Sequence, residues 1–173
     1  MDFYGYLAQK AKDDGIDKIV VGAIVLNKAG EILIVRRPLD EFMGGLEELP
    51  SGNIEPNEPL DKALLREVKE ETNLDIRSIL SYINYFDYKS SSGKNSRQYN
   101  FAVTVECDEN VVLTEHDEYK WQTIDEALEN TKISEKTHRT IQIFDFNKKS
   151  LTAALFDFFK LGDDLLGRFN DAE

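Results

Sequence analysis

The chain has 173 residues, with 33 acidic side chains against 21 basic ones and a net charge of −12. That length suits one domain that buries enough surface to fold without cross-links, and the acidity argues against non-specific binding to DNA, RNA or anionic membranes. A single cysteine, Cys107, excludes an internal disulfide, and with only His116 and His138 beside it no Cys/His zinc set is available.

Met1-Asp2-Phe3-Tyr4-Gly5-Tyr6 lacks the basic start and apolar stretch of a signal peptide. No apolar run reaches membrane-span length, so the expectation is a cytoplasmic protein with no membrane partner. Residues 3–13 read as a short helix ending near Gly15. Ile19 to Leu26 and Glu31 to Arg36 are β-branched apolar runs, and Asn27-Lys28-Ala29-Gly30 between them predicts an antiparallel hairpin. Residues 38–57 carry Gly44, Gly45, Pro50, Gly52 and Pro56 and read mostly as loop. A helix is predicted over 59–72, ended by Asn73. Asp75 to Tyr88 and Arg97 to Glu106 are long strand candidates joined by the polar tip 89–96, and Tyr119 to Thr123 is a short one. Helices are expected near 124–130, 134–143 and 149–167. Hairpins mixed with helices, without regular βαβ units, indicate one α/β domain over 1–173, layered around a mixed sheet.

The helix over 59–72 carries the chemistry. At about 100° per residue, Leu64, Leu65 and Val68 share a core-facing arc. Glu67, Glu70 and Glu71 share the neighbouring arc, so the spacing i, i+3, i+4 gathers three carboxylates at the edge of the buried stripe. Such a trio is either a solvated acidic face or a hard-cation site. Carboxylate oxygens without His or Cys suit Mg²⁺ or Mn²⁺, and an acidic site binds polyphosphate when a metal ion intervenes.

The flanks favour the second reading. From Gly52 there are five residues to Glu58, then seven to Arg66-Glu67-Val68-Lys69-Glu70-Glu71-Thr72-Asn73-Leu74. This resembles the box of the Nudix (MutT/Nudix) hydrolases, and only the final glycine differs, being Asn73 here. Asn is the usual non-Gly choice for a left-handed residue just past a helix. Six fixed identities at this spacing arise by chance on the order of once in a hundred thousand such chains. The resemblance covers roughly residues 17–145, leaving an N-terminal helix and a C-terminal helical extension outside it.

The resemblance implies a Nudix-type α/β/α sandwich with a catalytic loop-helix-loop. It implies a metal-dependent pyrophosphohydrolase that cleaves a diphosphate linkage in a small nucleotide-type substrate, with Mg²⁺ or Mn²⁺ as cofactor and no DNA or RNA partner. Glu67, Glu70 and Glu71 would hold the metal, joined by the backbone carbonyl of Ser51 and by Glu115, which lies six residues before Trp121. Glu67 is the first choice as general base and Glu115 the second. Arg66 would fix the glutamates by ion pairing. Glu58, Gly52 and Asn73 are structural parts of the motif. Arg37, with Arg36 beside it, matches the position that contacts substrate phosphate, against the alternative of a solvated strand end. The substrate leaning is MutT-type, a nucleoside triphosphate giving monophosphate and pyrophosphate. A hydrolase of ADP-ribose or another nucleoside diphosphate linked to X, and a ligand-sensing domain without catalysis, are the alternatives. Leu151, Leu155, Phe158, Phe159, Leu165, Leu166 and Phe169 recur at roughly helical spacing, which fits packing on the chain's own core or a homodimer contact.

Overall fold

The computed structural model describes residues 1–41, 43–90 and 92–170, with side chains up to Thr152. Eleven elements follow one another among them. They are α1 (Phe3–Asp13), β1 (Lys18–Leu26), β2 (Ile32–Arg36), β3 (Glu47–Glu48), β4 (Ser51–Asn53), α2 (Leu60–Thr72), β5 (Ile76–Lys89), β6 (Asn95–Val105), β7 (Glu118–Gln122), α3 (Ile124–Glu129) and α4 (Glu135–Asn170). Asp2 caps α1 by accepting the Gly5 N–H at 2.7 Å, and Lys10 and Lys12 sit in its last turn, where the helix dipole favours cations. No described helix is long and apolar enough to cross a membrane.

The sheet runs β3-β2-β1-β6-β5, with β4 added to β1 and β7 to β2. Pairing is antiparallel except between β1 and β6, which run parallel from Lys18↔Ser96 to Leu26↔Thr104. The β1–β2 hairpin holds together only at Leu26↔Ile32. Beyond that point the two strands part, and β4 takes up the edge of β1 at Val20, Val21 and Gly22. This split lets the loop before α2 reach the middle of the sheet.

Alternation along the strands builds a core on each face. Val21, Ala23 and Val25 of β1 join Leu64 and Val68 of α2, while Ile24 and Leu26 pack with Ile141 and Phe144 of α4. The result is a mixed sheet between α1/α2 and α3/α4, the sandwich expected from the sequence.

Two expectations change. Leu65, expected on the core-facing arc of α2, is 37 % exposed, because the buried stripe runs through Leu60, Ala63, Leu64 and Val68. Residues 38–57 are mostly loop as expected, broken by β3 and β4. The helices expected at 134–143 and 149–167 are one, Glu135–Asn170. No Pro or Gly stands between Phe144 and Lys149 to stop it, and Lys149 pairs with Asp145 at 2.7 Å across the junction at i, i+4. Leu151 is exposed, and the side chains of Leu155, Phe158, Phe159, Leu165, Leu166 and Phe169 lie outside those described.

Candidate active site

Helix α2 lays its apolar stripe on the sheet through Leu60, Ala63, Leu64 and Val68, all at most 1 % exposed. The glutamate arc therefore meets the β4 edge at graded depth. Glu71 is 4 % exposed. The side chain of Glu67 is 13 % exposed and that of Glu70 is 59 % exposed. Asn73 ends the helix in the left-handed region at φ 61°, its N–H donating to the Lys69 carbonyl. An asparagine tolerates that conformation, so the departure from glycine leaves the helix terminus intact.

Two contacts place the inner glutamates. The Ser51 N–H donates to Glu71 Oε2 at 3.0 Å from the edge of β4 turned away from β1. Glu67 lies against Gly52, where a Cβ would fall on the Glu67 carboxylate. Gly52 thus serves by lacking a side chain, at a backbone conformation open to any residue.

Arg66 ties the loop to the helix. Its Nε and Nη2 donate to Glu58 at 2.8 and 2.7 Å, and Nη2 also reaches the Asn53 carbonyl at 2.9 Å. Its Nη1 reaches Glu67 at 2.8 Å and Glu70 at 2.9 Å. Glu58 also accepts the Glu55 N–H at 2.9 Å, and the Arg66 guanidinium holds its carboxyl below the ordinary range. Glu58 and Arg66 are thus a fork-to-fork brace between loop and helix.

The electrostatics of the inner pair run the other way. Burial pushes the Glu71 carboxyl up to about 8, opposed by the Ser51 N–H and reinforced by Glu115, Glu67 and Glu48. Burial also raises Glu67, which Arg66 opposes and Glu70 and Glu115 reinforce. The segment carrying Glu115 is held to α2 by the Thr114 hydroxyl on the Glu70 carbonyl, 2.7 Å, and by the Val112 N–H on the Thr72 carbonyl, 3.0 Å.

Glu48 is a residue that the sequence reading left out. Arg37 Nε pairs with it at 2.6 Å, and its other neighbour is His116, with Nε2 at 3.3 Å. The His116 side chain is 6 % exposed and its Nδ1 has no described partner. Burial raises the Tyr88 phenol, Arg37 lowers it and Glu48 raises it, so Tyr88 lies within electrostatic reach of this group. Arg37 therefore stands beside the glutamate cluster. Arg36 points elsewhere, to Asp117 at 2.8 Å and to Glu118.

Whether these residues suit a cation is a matter of donors and of spacing. The donors are oxygens alone, and among the described residues buried Glu71 has no cationic partner while half-buried Glu67 has only Arg66. That chemistry fits a hard divalent ion. The spacing is looser: among the described residues, no three acidic, His or Cys side chains close on a common point. Glu70 is turned out to Arg66 and must swing from it to join the others.

A model of the NUDIX domain matches residues 17–142. The chain belongs to the Nudix family. It is 39% identical over 57 residues to an 8-oxo-dGTP diphosphatase of Proteus vulgaris, covering 33% of this chain and 51% of that protein. It is 37% identical over 57 residues to a CTP pyrophosphohydrolase of Escherichia coli (strain K12), covering 33% of this chain and 42% of that one. The matched stretch thus spans about half the length of these Nudix relatives or less. Among solved structures, a MutT protein from Methanosarcina mazei Go1 superposes with a TM-score of 0.67 at 27% identity, covering 76% of this chain and 95% of that one. The ORF135 protein of E. coli superposes at 0.64 with 24% identity, covering 79% and 95%. The sandwich described above is the Nudix fold.

Proposed function

We propose that the chain is a divalent-metal-dependent pyrophosphohydrolase acting on a nucleoside triphosphate, releasing monophosphate and pyrophosphate. The observation that carries this reading is the pair of carboxylates, buried Glu71 and half-buried Glu67, set on the β4 edge by Ser51 and Gly52. The matched relatives named as an 8-oxo-dGTP diphosphatase and a CTP pyrophosphohydrolase support the substrate class.

Glu67, Glu70 and Glu71 would hold Mg²⁺ or Mn²⁺, with the Ser51 carbonyl and Glu115 adding oxygens. A bound ion supplies charge neutralisation at the phosphates and an acidified water. The protein's own residues do the rest. Glu67 takes the proton of the attacking water, for which a carboxyl already raised by burial is suited. Arg66 keeps Glu67 aimed while its brace to Glu58 fixes the loop. Arg37 turns its remaining guanidinium N–H groups, those not used on Glu48, to a phosphate oxygen.

The test is a panel of nucleoside triphosphates, diphosphates and ADP-ribose with Mg²⁺ or Mn²⁺, scored for phosphate after pyrophosphatase and phosphatase. Release of pyrophosphate from a triphosphate, abolished by EDTA, is expected. Full turnover in metal-free buffer, or no turnover of any member, overturns the reading.

A pH dependence follows from Glu71. With its carboxyl raised to about 8, the proton is favoured below that pH, and a metal must displace it. Mn²⁺ affinity should therefore fall by about tenfold per pH unit below pH 8 and level off above it. Calorimetric titration with Mn²⁺ from pH 6 to 9 reads the slope, and a flat profile removes Glu71 from the ligand set.

A further inference from the structure

On the α4 side of the sheet a row of side-chain amides runs from β6 across β5 to α4. Gln98 Nε2 donates to Asn100 Oδ1 at 2.9 Å, and Asn100 Nδ2 donates to Asn84 Oδ1 at 3.0 Å. Asn84 Nδ2 then reaches the Thr140 hydroxyl of α4 at 3.2 Å. The Thr140 hydroxyl has two acceptors in reach, the Lys136 carbonyl inside α4 at 3.0 Å and Asn84 Oδ1 at 3.3 Å. With its proton on the shorter of these it accepts from Asn84 Nδ2, and the row runs in one sense, every amide N–H₂ pointing inward and every carbonyl outward. Asn100 and Thr140 are completely buried, so an unpaired member would be costly and the sense is held.

The row opens at Gln98. Its carbonyl oxygen accepts from no described residue and is not a buried orphan, so it faces solvent. One of its two N–H groups is also left over. Two further features prepare this end. A Cβ at Gly22 would fall on Gln98 Nε2 and Asn100 Oδ1, so the glycine lets the amides lie flat over β1. Phe86 is the cross-strand partner of Gln98 and sets a half-buried ring on the same face beside it.

The distance to the glutamates follows from the sheet. Gly22, beneath the Gln98 amide, pairs with Ser51, and Ser51 bonds Glu71. With strands about 4.8 Å apart, the amide and the Glu71 carboxylate are separated by roughly 10 Å. That is the order of length from the base of a nucleotide across its ribose to the first phosphates. Tyr88, the cross-strand partner of Ser96, shares the Gln98 face, and Arg37 and Glu48 lie within its electrostatic reach.

Resting on the nucleotide reading above, we propose that Gln98 is the base-contacting, specificity-determining residue. Its oriented amide reads a base edge that carries a donor and an acceptor side by side, with Phe86 beside the ring. The Asn100–Asn84–Thr140 row is its positioning device. A bidentate amide of this kind discriminates between bases because the wrong edge leaves a polar group unpaired.

Steady-state kinetics with ATP, GTP, CTP and UTP test this in wild type, Gln98→Leu and Gln98→Glu. Inorganic tripolyphosphate serves as a base-free competitive inhibitor. For the preferred nucleotide, Gln98→Leu should raise KM by roughly tenfold and leave kcat within about twofold. Preference among the four should flatten, the tripolyphosphate inhibition constant should hold, and Gln98→Glu should reorder the four. Unchanged KM values and rank order in both variants overturn the assignment. So does a parallel rise in the tripolyphosphate constant, which moves Gln98 to the phosphate end. A wild type that cleaves the panel while the variants match it removes only this inference. A wild type that neither cleaves the four nucleotides nor is stabilised by them in thermal melts removes the hydrolase reading with it.

Discussion

Glu71→Gln is expected to lower turnover at saturating Mg²⁺ by a hundredfold or more while leaving the protein as stable as before. The glutamine keeps the shape, and its carbonyl oxygen still accepts the Ser51 N–H that the carboxylate accepts at 3.0 Å. What it removes is the ionisable oxygen that a metal would claim as an anionic ligand, held 4 % exposed among Glu67, Glu115 and Glu48. A ligand lost during phosphoryl chemistry should cost at least about 2.7 kcal/mol of transition-state stabilisation, at roughly 1.36 kcal/mol per tenfold. Stability should move the other way. A carboxyl raised to about 8 in the fold ionises less readily there than in the unfolded chain, so its stability contribution declines as pH rises from the ordinary carboxyl range to 8. The glutamine variant should therefore melt at or above wild type near pH 8, and the difference should shrink toward pH 5. Glu58→Gln is the contrast. It loses half of the brace to Arg66 from a residue set at the loop-helix junction, so it should lower stability by about 1 kcal/mol and activity far less. If Glu71→Gln retains more than about a third of wild-type turnover, this helix does not carry the catalysis.

What the sequence makes legible divides along physical lines. Periodicity and spacing are local, so α2 and its left-handed Asn73 could be read directly, as could the glutamate arc. β3 and β4 could not. They are two and three residues long and exist because β2 and β1 offer edges where the hairpin splays, a long-range fact hidden among glycines and prolines. Glu47 and Glu48 lay in that stretch and were left out for the same reason. Glu47 is 2 % exposed. Burial pushes its carboxyl up, but Asn130 at 2.6 Å and Lys120 at 3.0 Å outweigh this and hold it low. Glu48 is kept by Arg37 and His116, residues far apart in the chain. The depth ranking inside the trio was also unreadable. A helical wheel treats Glu67, Glu70 and Glu71 as equals, whereas the β4 edge buries Glu71 and leaves Glu70 outside.

Gly52→Ala should come close to Glu71→Gln in its effect on turnover, by a different route. The added methyl would occupy the space of the Glu67 carboxylate, so either Glu67 swings out or β4 slides from β1. The strand is pinned by Val20, Val21 and Gly22 on one side and by Glu71 on Ser51 on the other, so the side chain is the softer element. Displacing Glu67 breaks its 2.8 Å contact with Arg66 and would misplace the proposed general base. A loss of a hundredfold in turnover is the order of magnitude for a misaligned base. Overpacking should also destabilise by about 1–3 kcal/mol. A double-mutant cycle separates clash from backbone. In a Glu67→Ala background the carboxylate is gone and the methyl has room, so Gly52→Ala should then leave the thermal midpoint almost unchanged. The two substitutions should be strongly non-additive in stability, as expected for atoms competing for one space. If Gly52→Ala destabilises the Glu67→Ala protein as much as the wild type, the glycine serves the β1–β4 pairing, and Glu67 is not held by the absence of a side chain at position 52.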